Sequence, residues 1–167
     1  MPIKNGWNII DDNLLACSEN HIRSVFKMLK EQKEIGHELF FTGGLEARIL
    51  KQWHIDLLRE VKPKRIYFAY DTSDDYEPLI EAGKLLLNNG FTKTSHSLCA
   101  YVLIGYPDDC FDNAEKRLNE TIKAGFTPMA MLYRDDKGNM KGKWRKFQRE
   151  WARPAIIYGK SLTQTNK

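Results

Sequence analysis

The sequence predicts an α/β domain built on a parallel sheet, and three observations carry that expectation. Apolar runs of strand character begin near residues 7, 38, 65, 97 and 127, at spacings of 31, 27, 32 and 30 residues. Segments with apolar residues at helical spacing fill the gaps between them. A repeat of about 30 residues is the length of one βα unit, in which a crossover helix returns the chain to a parallel neighbour with right-handed sense. Five such units make either a doubly wound sheet or an arc of a barrel, and the periodicity alone leaves both open. A complete (β/α)₈ barrel takes about 250 residues, and the chain has 167. Any barrel is therefore partial.

The elements follow in order. Trp7–Ile10 is the first strand. Ser18 supplies an N-cap for a helix with Ile22, Val25, Phe26 and Leu29 on one face, closing near Gly36. Glu38–Phe41 is the second strand, and Leu45, Ile49, Trp53, Leu57 and Val61 mark a helix that Pro63 stops. Arg65–Tyr70 is the third strand. Its helix starts at about Asp74 or Asp75, carries Tyr76, Leu79, Ile80, Leu86 and Leu87, and ends at Asn89-Gly90. Ser97–Ile104 is the fourth strand, followed by a helix bearing Ala114, Leu118 and Ile122 and ending at Gly125. Thr127–Tyr133 is the fifth. After a polar turn at 134–139, a last helix spans roughly Lys143–Ala152, and Arg153-Pro154 ends it. Ala155–Tyr158 reads as a short extended piece. This divides the chain into a barrel-like unit (1–134), a basic helix and extension packed on it (135–160), and a disordered polar tail (161–167).

Composition narrows the class. With 42% apolar and 29% charged residues the chain is globular, not collagenous, low-complexity or wholly disordered. Apolar runs such as Leu85–Leu87 and Ala100–Ile104 fall far below the roughly 20 residues that span a bilayer. No apolar stretch of signal-peptide type follows Met1. Cys17, Cys99 and Cys110 are odd in number and far apart, which argues against a disulfide framework and against a self-contained zinc or iron–sulfur site. A cytoplasmic, reduced protein with no membrane partner is expected. The net charge of +4 is uneven: residues 134–160 hold nine Lys/Arg against three acids. The basic character belongs to the tail.

Parallel α/β folds place their sites where strands end and βα loops converge. Those ends read Asp11-Asp12-Asn13, Thr42-Gly43-Gly44-Leu45-Glu46-Ala47-Arg48, Asp71-Thr72-Ser73-Asp74-Asp75, Gly105-Tyr106-Pro107-Asp108-Asp109 and Tyr133-Arg134-Asp135. Asp74, Asp75 and Asp112 are assigned to helix caps. Three polar groups in a row at Asp11-Asp12-Asn13 exceed what one cap needs. Gly43-Gly44 lets backbone approach a ligand or makes a tight turn, and it is neither a P-loop nor a GxGxxG fingerprint. Glu46 and Arg48 share a face in an extended stretch, where they hold a zwitterion between them or form a surface ion pair. His21, His37, His54 and His96 lack ligand spacing and read as structural or solvated. In the tail, Trp144, Phe147 and Trp151 recur at i, i+3, i+7 among Lys143, Arg145, Lys146, Arg149 and Arg153. That pattern suits nucleic acid, but an aromatic stripe docked on the body with a solvated basic face is the preferred reading.

Taken together, the strand ends resemble something specific. The succession Ile9-Ile10-Asp11-Asp12-Asn13, Thr42-Gly43-Gly44-Leu45-Glu46-Ala47-Arg48, Phe68-Ala69-Tyr70-Asp71-Thr72 and Val102-Leu103-Ile104-Gly105-Tyr106-Pro107 is similar to the later part of radical S-adenosylmethionine (radical SAM) proteins, over about residues 7–134. The resemblance implies a partial TIM-like barrel, S-adenosylmethionine as cofactor and a [4Fe–4S] cluster normally held by a CxxxCxxC. It places Glu46 and Arg48 beside the ribose or methionyl group and Asp71-Thr72 near the adenosyl part, with Thr42, Gly43, Gly44 and Gly105 also on the cofactor side. Asp12, Asn13, Tyr106 and Arg134 face the substrate. None of the three cysteines matches the cluster motif. The resemblance therefore implies the later portion of a longer enzyme, inactive alone, whose N-terminal part is the missing partner and whose Met1 is an internal or artificial start. Two alternatives stand beside it: an independent α/β module for a small nucleotide-like ligand, and nucleic-acid binding through the basic tail.

Overall fold

Every strand–helix unit expected from the spacing is present in the computed structural model, which describes residues 3–11, 14–138 and 142–152 together with Ile157 and Gly159. Strands β1 (Asn8–Ile9), β2 (Phe40–Leu45), β3 (Arg65–Tyr70), β4 (Leu98–Ile104) and β5 (Thr127–Leu132) pair in parallel, side by side in chain order. A doubly wound sheet reverses its strand order partway across. This sheet does not, so its winding is that of a barrel arc. The helices are α1 (Glu19–Glu34), α2 (Gln52–Val61), α3 (Tyr76–Asn88), α4 (Phe111–Lys123) and α5 (Gly142–Trp151). Among them no helix is long and apolar enough to cross a membrane. The Asp12-Asn13 pair and the tail 161–167 lie outside the described residues, as does the expected extension at Ala155–Tyr158 apart from Ile157, which is helical and buried.

Side chains alternate across a pleated sheet, so each strand offers two faces. One face presents Phe41, Ile66, Phe68, Leu98, Ala100, Val102 and Ile104, packed in a single cluster with Ile22, Leu29, Ile55, Leu58, Leu79, Leu86 and Leu118 of the helices. Each fully buried side chain of this size contributes about 1.5–3 kcal/mol. The register puts Tyr67, Cys99, Tyr101, Leu103, Met129 and Met131 on the opposite face. That face stays outside the core cluster, and Met129 and Met131 remain 40% and 44% exposed. It is the side that would line the interior of a closed barrel.

The one displaced element is the second unit. The strand runs to Leu45, and the helix begins only at Gln52. The cause is a bulge: four residues of β2 from Phe41 to Leu45 advance against two of β3, from Ile66 to Phe68. Glu46 Oε1 then accepts from Arg48 N at 3.1 Å and starts a 3₁₀ turn at Ala47–Ile49 before the helix.

Helix α5 docks as the aromatic stripe suggests. Trp144 and Trp151 are buried, while Lys143, Arg145, Lys146 and Arg149 are exposed. Phe147 stacks on Phe111 with ring centroids 5.2 Å apart. Gln148 Nε2 donates to Ala130 O at 2.8 Å, so α5 also occupies an acceptor on the free edge of β5. The two tryptophans are committed to packing and offer no stacking platform for bases.

His54 resolves as a structural residue with a pH consequence. Its ring is buried at the start of α2, where Nδ1 accepts from Lys51 N at 3.0 Å. Burial, and then the nearby Lys51 charge, hold its pKa below the usual 6.5. The unfolded chain therefore takes up this proton first as pH falls, so the stability His54 confers is complete above about 6.5 and declines below it. Urea midpoints should drop between pH 7 and pH 5.5, and His54→Asn, which keeps an acceptor toward Lys51 N, should flatten that slope. An unchanged slope in the variant would remove His54 from the account.

Candidate functional site

Two glycines at the end of β2 fit the bulge between Phe41 and Leu45. A Cβ on Gly43 would lie 2.4 Å from Asp11 O, so the chain leaving β1 passes too close for any side chain there. Gly44 has φ +91, a left-handed conformation that glycine adopts without strain. A Cβ there would meet the Tyr101 ring at 3.6 Å. Between strands, Thr42 Oγ1 donates to Asn8 Oδ1 at 2.9 Å, and Tyr101 Oη donates to Thr42 O at 3.0 Å. Burial, then Tyr67 and Cys99, raise the Tyr101 pKa, which keeps the phenol protonated as that donor. Its ring stacks on Tyr67, with centroids 4.6 Å apart and planes 12° from parallel.

The polar residues predicted at the ends of β2 and β3 meet on one carboxylate. Arg48 Nη2 donates to Asp75 Oδ1 at 2.8 Å. Asp75 Oδ2 accepts from Asp71 N at 3.1 Å, Thr72 N at 2.8 Å and Thr72 Oγ1 at 3.2 Å. Arg48 Nε lies 3.8 Å from Glu46 Oε1. Burial would raise the Asp75 pKa, but the bonds from Thr72, Arg48 and Asp71 outweigh it and hold the carboxyl below its ordinary value. Asp71 goes the other way: burial, then the charges of Asp75 and Glu46, raise its pKa. Arg48 thus bonds Asp75 and lies beside Glu46, and those two carboxylates act in turn on Asp71.

The sequence assigned Asp75 only to a helix cap. It does hold the turn before α3, but it also joins Arg48 of the β2 loop to Asp71 and Thr72 of the β3 loop. The T-x-x-D spacing from Thr72 to Asp75 signals the capping box; nothing local signals an arginine 27 residues upstream.

Gly105 and Tyr106 belong to a different cluster. Gly105 has φ +78 and lies against Trp144 of α5, where an added Cβ would meet Cγ at 2.8 Å. Gly105 N donates to Asp109 Oδ2 at 2.7 Å. Tyr106 carries Arg117 over its ring, with Cζ 5.1 Å from the centroid, and accepts from Arg117 Nη1 at 3.2 Å. Arg134 is exposed on the chain beyond β5. The two predicted groups are therefore separate networks: Glu46, Arg48, Asp71 and Thr72 meet through Asp75, whereas Gly105 and Tyr106 engage α4 and α5.

The thiols do not fit an iron–sulfur cluster. Cys17 precedes α1, Cys99 is the second residue of β4 with Sγ directed at His96 O (3.7 Å), and Cys110 caps α4 beyond the other end of that strand. At about 3.3 Å per residue, β4 alone holds Cys99 and Cys110 well beyond the reach of one cluster. Among the described residues no group of three His, Cys, Asp or Glu is placed to hold a metal ion. S-adenosylmethionine is a different case. Its amino-acid end and ribose need a guanidinium or ammonium, carboxylates and exposed backbone, and the Glu46–Arg48–Asp71–Thr72 group beside the Gly43-Gly44 bulge supplies that donor set. Comparisons with family models, curated proteins and solved structures give no match to this chain.

Proposed function

We propose that the chain is the later part of a radical SAM-type barrel and that its β2–β3 edge holds S-adenosylmethionine. The observation that carries this reading is the Asp75 hub, which gathers Arg48, Asp71 and Thr72 at the strand ends where a βα fold binds ligands. The sequential parallel order of the strands supports it, since a barrel arc has that order. Arg48, fixed on Asp75 through Nη2, has Nη1 left to take a carboxylate, and Glu46 is placed to accept from an amine. Asp71 and the Gly43-Gly44 backbone would hold the ribose side. Bound there, S-adenosylmethionine supplies an activated sulfonium.

The test is binding, not turnover. S-adenosylmethionine and S-adenosylhomocysteine should raise the melting temperature of the isolated chain in a concentration-dependent way. Arg48→Ala should abolish most of the shift, because the carboxylate loses its guanidinium and Asp75 loses its partner. No shift at millimolar ligand, or the same shift in the variant, would overturn the assignment. A shift by adenosine equal to that by S-adenosylmethionine would favour the nucleotide-module alternative.

A further inference from the structure

On the helix-covered side of the sheet, away from the open face, a cavity of about 390 Å³ lies between the end of β3, the start of α3 and α4. Three tyrosines wall it, Tyr70, Tyr76 and Tyr106, with Lys116, Arg117 and Glu120 between them. The rings of Tyr70 and Tyr76 run 16° from parallel with centroids 6.1 Å apart. Arg117 is spoken for: it lies over Tyr106 and pairs with Asp109 at 2.9 Å.

Glu120 is the unusual member. Its side chain is 16% exposed. Oε2 accepts from Tyr70 Oη at 2.6 Å. Oε1 lies 3.8 Å from Lys116 Nζ, beyond hydrogen-bond distance, and that lysine side chain is 72% exposed. Burial, then the bond to Glu120, raise the Tyr70 pKa strongly, so Tyr70 stays the donor in that bond. A carboxylate with one oxygen bonded to Tyr70 and the other held only by a loose ion pair, in a cavity walled by three tyrosines, suits an organic cation. Lys116, one helical turn away on α4, pairs with this oxygen only across 3.8 Å and from an exposed position.

The geometry points to this cavity as a binding site for a small primary alkylammonium group, which donates to Glu120 Oε1 and lies against the Tyr76 ring. Lys116 is then a competitor built into the rim. That gives two substitutions on one helix opposite signs. Removing the carboxylate's charge weakens binding, and removing the lysine strengthens it.

The probe is n-propylammonium chloride, with 1-propanol as the uncharged isostere and sodium chloride at matched ionic strength. Titration followed by NMR shifts of the tyrosine rings should show saturable binding in the millimolar range, as expected of about four heavy atoms. Glu120→Gln should raise Kd by about tenfold or more, which is about 1.4 kcal/mol. Lys116→Met should lower Kd severalfold. Tyr76→Ala should weaken binding, and Tyr76→Phe should leave it nearly intact. Circular dichroism confirms that each variant is folded. Equal binding of propanol, indifference to Glu120→Gln, or weaker binding in Lys116→Met would each overturn the proposal. So would the absence of saturable shifts with the unsubstituted chain.

Discussion

Replacing Arg117 with methionine should destabilise the protein by about 3–5 kcal/mol, the cost of leaving a buried charge without its partner. The Arg117 and Asp109 side chains are 8% and 0% exposed and lie 2.9 Å apart. The guanidinium also donates to Leu103 O at 3.0 Å and to Tyr106 Oη at 3.2 Å. Asp109 Oδ2 in turn accepts from Gly105 N at 2.7 Å. One pair thus ties the end of β4, the turn after it and the middle of α4. Even so, Asp109 Oδ1 and Arg117 Nε lack hydrogen-bond partners among the described residues, so the pair is incompletely satisfied. The large loss on breaking it is therefore a desolvation penalty, not a measure of how much it stabilises. A double-mutant cycle separates the two. Arg117→Met and Asp109→Asn should each be strongly destabilising, and the double variant should recover about 1 kcal/mol or more of their sum. Urea denaturation with an unchanged m-value reads this directly. Additivity of the singles to within about 0.5 kcal/mol would show the pair to be uncoupled.

Where the sequence speaks plainly, the signal is local and periodic. Arg65–Tyr70 has the same bounds in sequence and structure because turn-forming residues flank a short apolar run. Ser18 caps α1, accepting from His21 N at 3.4 Å, because its chemistry acts within four residues. Gly43-Gly44 reads in the sequence as a close ligand approach or a tight turn, whereas the structure makes it part of a bulge between Phe41 and Leu45. Gly43 answers to Asp11, 32 residues away, and Gly105 to Trp144, 39 residues away. Arg117 lies on a helix rich in charge, where nothing local separates a buried arginine from a solvated one. Asp75 shows the same limit. Its capping bonds are local and were legible; its bond to Arg48 depends on two strands being neighbours. The candidate site is thus legible in residue type and strand position, and hidden in its wiring.

Gly83→Ala should destabilise the protein by about 2 kcal/mol net, against what helix propensity alone predicts. Gly83 lies inside α3, where alanine is the better helix former by about 1 kcal/mol. A β-carbon there would sit 2.0 Å from Ala124 O and 3.0 Å from Phe126 Cε2. The first neighbour is backbone at the end of α4, and Phe126 is itself held edge-on against Phe68 at 5.2 Å. Neither gives way as a flexible side-chain end would. Relief requires α3 to move off the turn between α4 and β5, which breaks contacts of Leu79, Ala82 and Leu86 in the core. Overpacking of this kind costs about 1–3 kcal/mol and sometimes more, so it exceeds the propensity gain. Gly142 is the control, since a Cβ there meets nothing within 4 Å and the residue also lies in a helix. Gly142→Ala should be neutral or slightly stabilising in the same thermal melts. If both variants shifted the midpoint upward, the close approach of α3 to the α4–β5 turn would not be the reason for the glycine.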